Sequence, residues 1–94
     1  NQEQTQAISI NINGEQVEIN EDNAVTAVAA AYDFGDDEFL MYKGIEEIDG
    51  VKYFAVDLRR SLEDHSSYLS TFFVTENGKI VKGYYEGGVA YLAE

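Results

Sequence analysis

Apolar and polar residues alternate in several short stretches of this chain, and one stretch changes to a helical period. In residues 7–19, Ala-Ile-Ser-Ile-Asn-Ile-Asn-Gly-Glu-Gln-Val-Glu-Ile, Ile8, Ile10 and Ile12 fall on one side of an extended segment, and Val17 and Ile19 join them across Asn13-Gly14. Residues 23–32 change period. Val25, Val28, Ala29 and Tyr32 recur at i, i+3, i+4 and i+7, which predicts an alanine-rich helix able to lie close against a sheet. Asn20-Glu21-Asp22-Asn23 precede it as N-cap candidates whose acids suit the positive end of the helix dipole, and Gly35 follows as a stop signal. Strand-like runs then return at 39–47 and 51–58, where Phe54, Val56 and Leu58 share a face. Residues 59–67 are polar with one leucine and predict a loop or a single helical turn. Residues 68–75 and 79–85 form the last strong pair, and Val89, Tyr91 and Leu92 supply a final edge strand or a cap on the core.

Three dipeptides punctuate these runs: Asn13-Gly14, Asp49-Gly50 and Asn77-Gly78. A two-residue type I′ turn needs positive φ at both central positions, which Asn-Gly and Asp-Gly tolerate best, so each pair predicts an antiparallel hairpin. No long helical crossover separates the strands, which argues against a parallel sheet. The reading is a single α+β domain over residues 7–94 behind a flexible polar lead, residues 1–6. One short helix packs on a curved antiparallel sheet of four to five strands, with an N-terminal hairpin or strand in addition. The second sheet face is expected to stay partly open or to meet a partner. The chain opens on Asn1 rather than Met, as a processed or trimmed product would.

Charge narrows the choice of partner. Eighteen acids against six bases give a net charge of −12, and the first 42 residues hold nine acids and no base. Such a field repels phosphate backbones and anionic headgroups, so neither nucleic acid nor a membrane surface is expected as a partner. No run approaches the ~18–20 apolar residues of a membrane span. There is no cysteine for disulfide or thiol chemistry. The one histidine, His65, stands between Asp64 and Ser66. Triad members converge from separate elements and rarely follow one another, so this is read as a solvated loop. Asp33-Phe34-Gly35 matches three letters of the kinase magnesium motif with none of its companions. Asp33, Asp36, Asp37 and Glu38 crowd a bend, but Gly35 comes third where a calcium loop needs its glycine sixth. No catalytic residue, cofactor or metal ligand is assigned.

Aromatic residues carry the functional signal. Tyr84 and Tyr85 cannot both face one core from a strand, and Phe72 and Phe73 pose the same problem. Either a second small core lies under the N-terminal hairpin or the tail, or aromatics are displayed to bind. The candidate binding face is Tyr53, Phe72, Tyr84 and Tyr85. The expected role is a non-catalytic binding module for a protein or peptide partner, with self-association through an edge strand or the open face as a further mode. The alternative is a small hydrolase or isomerase using acidic residues, which requires a concave cavity holding a buried carboxylate.

From residue 22 to 85 the order of features resembles the PepSY and PepSY-like domains of bacterial extracytoplasmic proteins. The alanine-rich helix comes first, then Phe39-Leu40-Met41-Tyr42. Asp49-Gly50-Val51-Lys52-Tyr53-Phe54-Ala55-Val56-Asp57 follows, and last comes the hairpin Phe72-Phe73-Val74-Thr75-Glu76-Asn77-Gly78-Lys79-Ile80-Val81. The resemblance implies a cystatin-like helix-on-sheet fold, a secreted or cell-envelope location and a non-catalytic role such as modulating peptidases. It assigns no functional residue. Gly87-Gly88 also resembles the exposed pair of β-grasp ubiquitin-like proteins, but six residues follow it here.

Overall fold

A computed structural model describes residues 10–12 and 15–93. Strands β1 (Ile10–Ile12) and β2 (Glu15–Val17) pair antiparallel with Ile12 opposite Glu15, which leaves two residues for the turn. Asn13, Gly14 and the expected lead, residues 1–6, lie outside the described residues. Helix α1 (Ala24–Ala31) follows. After it come β3 (Glu38–Ile48), β4 (Val51–Ser61), β5 (Ser66–Val74), β6 (Ile80–Glu86) and β7 (Val89–Leu92), each paired antiparallel with its predecessor in one five-stranded sheet. The domain is α+β, one short helix against a curved sheet that closes to a half-barrel.

The helix is short and alanine-rich for a packing reason. Ala24, Ala27 and Val28 are buried, and the two alanines let the helix axis approach the sheet closely. The buried stripe is therefore set one position away from the expected one: Ala29 is exposed and Val25 half-buried. Asn20 and Asn23 organise the entry. Asn20 Oδ1 accepts from the Asp22 and Asn23 amides at 2.8 and 3.1 Å, and Asn23 Oδ1 accepts from the Asn20 amide at 2.8 Å. The helix ends at Tyr32, which is extended (φ −136°), not at Gly35. Gly35 belongs to the next turn, where its amide donates to Glu38 Oε1 at 2.7 Å.

Alternation along β4 and β5 divides the interior in two. Phe54, Val56 and Leu58 of β4, with Phe72 and Val74 of β5, face α1 and pack with Ile19, Ala24, Ala27 and Val28. Tyr53, Ala55, Phe73 and Val81 face the other way and form a second core, against which Ile48, Tyr85, Ala90 and Leu92 pack. The expected open face is thus closed at its centre. The sheet curls on that side, so β7 and the far end of β3 supply the cover that a second layer would otherwise give. Of the two readings of the paired aromatics, the second core is the one present, and the tail builds part of it.

Three details of the sheet differ from expectation. Asp49 (φ 52°) and Gly50 (φ 79°) do form a two-residue turn with both residues left-handed. The hairpin at Asn77-Gly78 is longer: Thr75 N–H donates to the Lys79 carbonyl at 2.9 Å, Gly78 N–H to the Thr75 carbonyl at 3.0 Å, and only Gly78 has positive φ. It is a three-residue loop of Glu76, Asn77 and Gly78 with glycine at the left-handed position. A further two-residue turn is Gly87-Gly88, which joins Glu86 to Val89 inside the sheet, so it is not a free β-grasp-like pair. Finally, residues 59–67 are mostly strand. Arg59, Arg60 and Ser61 pair with Tyr68, Ser67 and Ser66, leaving only residues 62–65 as connection. This extension has little apolar periodicity to betray it. Arg59 holds it instead, donating from Nε to Ser66 Oγ at 2.7 Å.

Candidate functional site

The four aromatics expected to form one binding face are divided by the fold. Phe72 is buried on the helix side under Tyr32 and Phe34, with ring centroids 4.9 and 5.9 Å away. Tyr53 is buried on the inner side against Phe73 at 6.0 Å, and Tyr85 is half-buried there, 5.8 Å from the same ring. Only Tyr84 is exposed, at 41%. Tyr53 and Phe72 therefore have almost no surface to offer, and Tyr85 is engaged on one side by the inner core.

Tyr84 is not alone. It lies opposite Tyr91 of β7, the rings stacked with centroids 5.3 Å apart and 22° between planes. Tyr91 is 42% exposed and Val89, two residues earlier on β7, 52%. Alternation puts these three on the side of the sheet that carries α1, on the strands its eight residues do not cover. Adjacent aromatic rings displayed in this way are a frequent component of protein-binding surfaces. Tyr91 was legible only as part of an uncertain tail; its pairing with Tyr84 needs the Gly87-Gly88 turn.

On the inner side, a chain of hydroxyl groups ends at a carboxylate. The Tyr85 backbone N–H donates to Tyr68 Oη at 2.9 Å. Tyr68 Oη and Thr71 Oγ1 are 2.7 Å apart, and Thr71 Oγ1 donates to Asp57 Oδ1 at 2.7 Å. Thr71 has one hydroxyl proton and directs it to Asp57, so Tyr68 is the donor to Thr71. Asp57 is only 6% exposed. The Tyr85 side chain adds a second tie, its hydroxyl donating to Glu46 Oε2 of β3 at 2.8 Å, while Lys43 Nζ sits 4.7 Å from its ring centroid. Burial, first, and then the bond to Glu46 and the charges of Glu46 and Asp57 push the Tyr85 hydroxyl well above its ordinary pKa. Tyr42, on the other side of β3, is also raised, by burial and by Glu21. Sequence reading missed Asp57 and Thr71; the signal available was one acid inside the otherwise apolar run Phe54-Ala55-Val56-Asp57-Leu58.

Two cavities open at the opposite end of the sheet. One, about 360 Å³, lies between residues 18–22 and the strands, over Ile19 and Phe54. The other, about 580 Å³, lies between the Asp49-Gly50 turn and the Glu76-Asn77-Gly78 loop. The Lys52–Glu76 ion pair, 3.5 Å long, borders both. Asp57 lines neither cavity. His65 is exposed and pairs with its neighbour Asp64. Among the described residues no three His, Cys, Asp or Glu side chains are placed to hold a metal ion, and no helix is long and apolar enough to cross a membrane. Compared with protein-family models, curated proteins and solved structures, the chain finds no match in any of the three.

Proposed function

We propose that this chain is a non-catalytic interaction module that engages a protein or peptide partner through the helix side of β6 and β7. The observation that carries the reading is the exposed Tyr84–Tyr91 stack with Val89 beside it. Its apolar area stays in water in the isolated chain, and covering it on association is favourable at about 25 cal/mol per Å² before the costs of binding. The buried carboxylate that an acidic enzyme would need is present in Asp57, but neither cavity reaches it, so the geometry supports binding better than hydrolysis or isomerisation. The likeness of residues 22–85 to PepSY-like domains supports a secreted or envelope location and a role beside peptidases.

Selection of displayed peptides on the wild-type chain, with counter-selection on the Tyr84→Ala/Tyr91→Ala double variant, tests the surface. Peptides that bind the wild type and lose the double variant support it. Peptides that bind both equally place recognition elsewhere. For location, a signal peptide or lipobox encoded upstream in the reading frame supports the extracytoplasmic reading, and a start codon immediately before Asn1 sinks it.

A further inference from the structure

The cavity of about 360 Å³ beside the helix entry has an apolar base and an acidic rim. Ile19 and Phe54, both buried, form the base, and Ile45 of β3 adds apolar surface at the mouth, 47% exposed. Glu18, Glu21 and Asp22 reach the rim from the segment before α1, and Glu76 from the loop after β5; all four are exposed. None of them lies in the first turn of α1, where the helix dipole would call for an acid. Their segment is held in shape, because Asn23 Nδ2 donates to the Glu18 carbonyl at 2.7 Å while Asn20 and Asn23 bond each other's amides. Glu21 also accepts from the Tyr42 hydroxyl at 3.5 Å, a neutral donor that leaves its charge in place.

Two observations besides the acids say what this groove fits. Lys52, the one base lining it among the described residues, already seats a cation there. Its Nζ is 3.5 Å from Glu76 Oε2 and 5.1 Å from the Phe54 ring centroid, so an ammonium on a methylene stem suits both base and rim. A bare metal ion does not suit it, since among the described residues no three acids converge on one point. Four acids against one lysine leave the rim at −3, room for more than one further positive charge. A basic peptide segment carries several such charges, and the net charge of −12 draws it in.

We infer that the groove between residues 18–22 and the strands is a docking site for a peptide segment rich in lysine or arginine. One side chain lays its methylenes against Ile45 over Phe54 and brings its cation to Glu21 and Asp22. Lys52 is the intramolecular competitor, holding Glu76 until a partner arrives. The groove lies at the opposite end of the sheet from Tyr84 and Tyr91, and its test leaves both of them in place.

The test is an amide NMR titration with acetyl-Ala-Lys-Ala-Lys-Ala-amide, its arginine and norleucine counterparts, and n-butylammonium. The chains are the wild type, Glu21→Gln/Asp22→Asn, Lys52→Met, and Glu63→Gln/Asp64→Asn, which removes the same charge at the exposed connection between β4 and β5. The expected result is saturable shifts at Ile19, Ile45 and Phe54 with the lysine and arginine peptides but not the norleucine one. Affinity should fall about fivefold in Glu21→Gln/Asp22→Asn and change less than about twofold in Glu63→Gln/Asp64→Asn. It should rise about twofold or more in Lys52→Met, where the competing ammonium is gone. Equal shifts with norleucine, equal losses in the two double variants, or no gain in Lys52→Met would each overturn the groove; equal losses would leave only the overall field of the chain. Butylammonium binding as tightly as the lysine peptide would overturn the peptide as the source of the cation.

Discussion

The Tyr85 hydroxyl donates to Glu46 Oε2 at 2.8 Å across 39 residues of chain, from the fourth strand of the sheet to the first. Neighbouring strands of a sheet hold each other through backbone ladders, but β3 and β6 are separated by two strands and meet here only because the sheet curls. The same residue fixes the curl from a second direction, its backbone N–H donating to Tyr68 Oη. Tyr85→Phe keeps the ring against Phe73 and removes the hydroxyl. A bond to a charged acceptor contributes about 1.5–3 kcal/mol when buried. With solvent nearby the expected loss is about 1 kcal/mol, read from urea unfolding. Amide exchange in β7, whose Ala90 and Leu92 pack on this core, should quicken.

Stability should fall in alkaline solution. The folded state raises the Tyr85 and Tyr42 hydroxyls above the ordinary tyrosine value of 10.0. A raised folded pKa means the folded chain holds its proton longer than the unfolded one, so the contribution is complete below the ordinary, unfolded value and is lost as pH climbs from there through the folded one. Melting temperatures measured upward from neutral pH should decline above about pH 10, and Tyr85→Phe should flatten that decline. An identical slope in the variant would assign it to other groups.

Gly83 is required by close packing, not by its φ. A β-carbon built there would stand 2.2 Å from the Tyr91 carbonyl oxygen and 2.7 Å from Phe73 Cε2. The backbone of β7 cannot yield without breaking its pairing with β6. Gly83→Ala should therefore cost about 2–3 kcal/mol, the upper range for overpacking, as measured by denaturant midpoint.

Phe73 and Tyr84 should respond very differently to truncation. Phe73 is fully buried between Tyr53 and Tyr85, and Phe73→Ala should lose about 3–5 kcal/mol. Tyr84→Ala removes a ring from the surface and should cost about 1 kcal/mol or less. Comparable losses would show that Tyr84 is covered and that no free aromatic surface exists.

At the 75–79 turn, Gly78 alone carries the left-handed strain, with φ 89°. Gly78→Ala should cost about 1 kcal/mol. Asn77→Gly, which would relieve a type I′ turn, should gain nothing here. A clear gain would restore the two-residue turn.

Much of the fold follows from local pattern. The change of period at residues 23–32, the left-handed pair Asp49-Gly50 and the runs around Phe54 and Phe72 each act within a few residues, so the helix, the hairpins and the antiparallel class could be read from them. Elsewhere the local signals are compatible with more than one structure. Asn77-Gly78 fits both a two-residue and a three-residue turn, and the pairing of Thr75 with Lys79 decides between them. Residues 59–67 carry few apolar side chains, and what makes them strand is the cross-strand grip of Arg59 on Ser66.

The candidate sites were far less legible. The sequence by itself determined that Tyr84 and Tyr85, like Phe72 and Phe73, must face opposite ways, because side chains along a strand alternate. Only the tertiary structure decided that both phenylalanines are buried, that Tyr85 closes the inner core while Tyr84 meets Tyr91, and that the buried Asp57 accepts from Thr71. Those outcomes depend on how far the sheet curls and where an eight-residue helix ends. Curl and cover are sums over the whole packed chain, and no single segment encodes them.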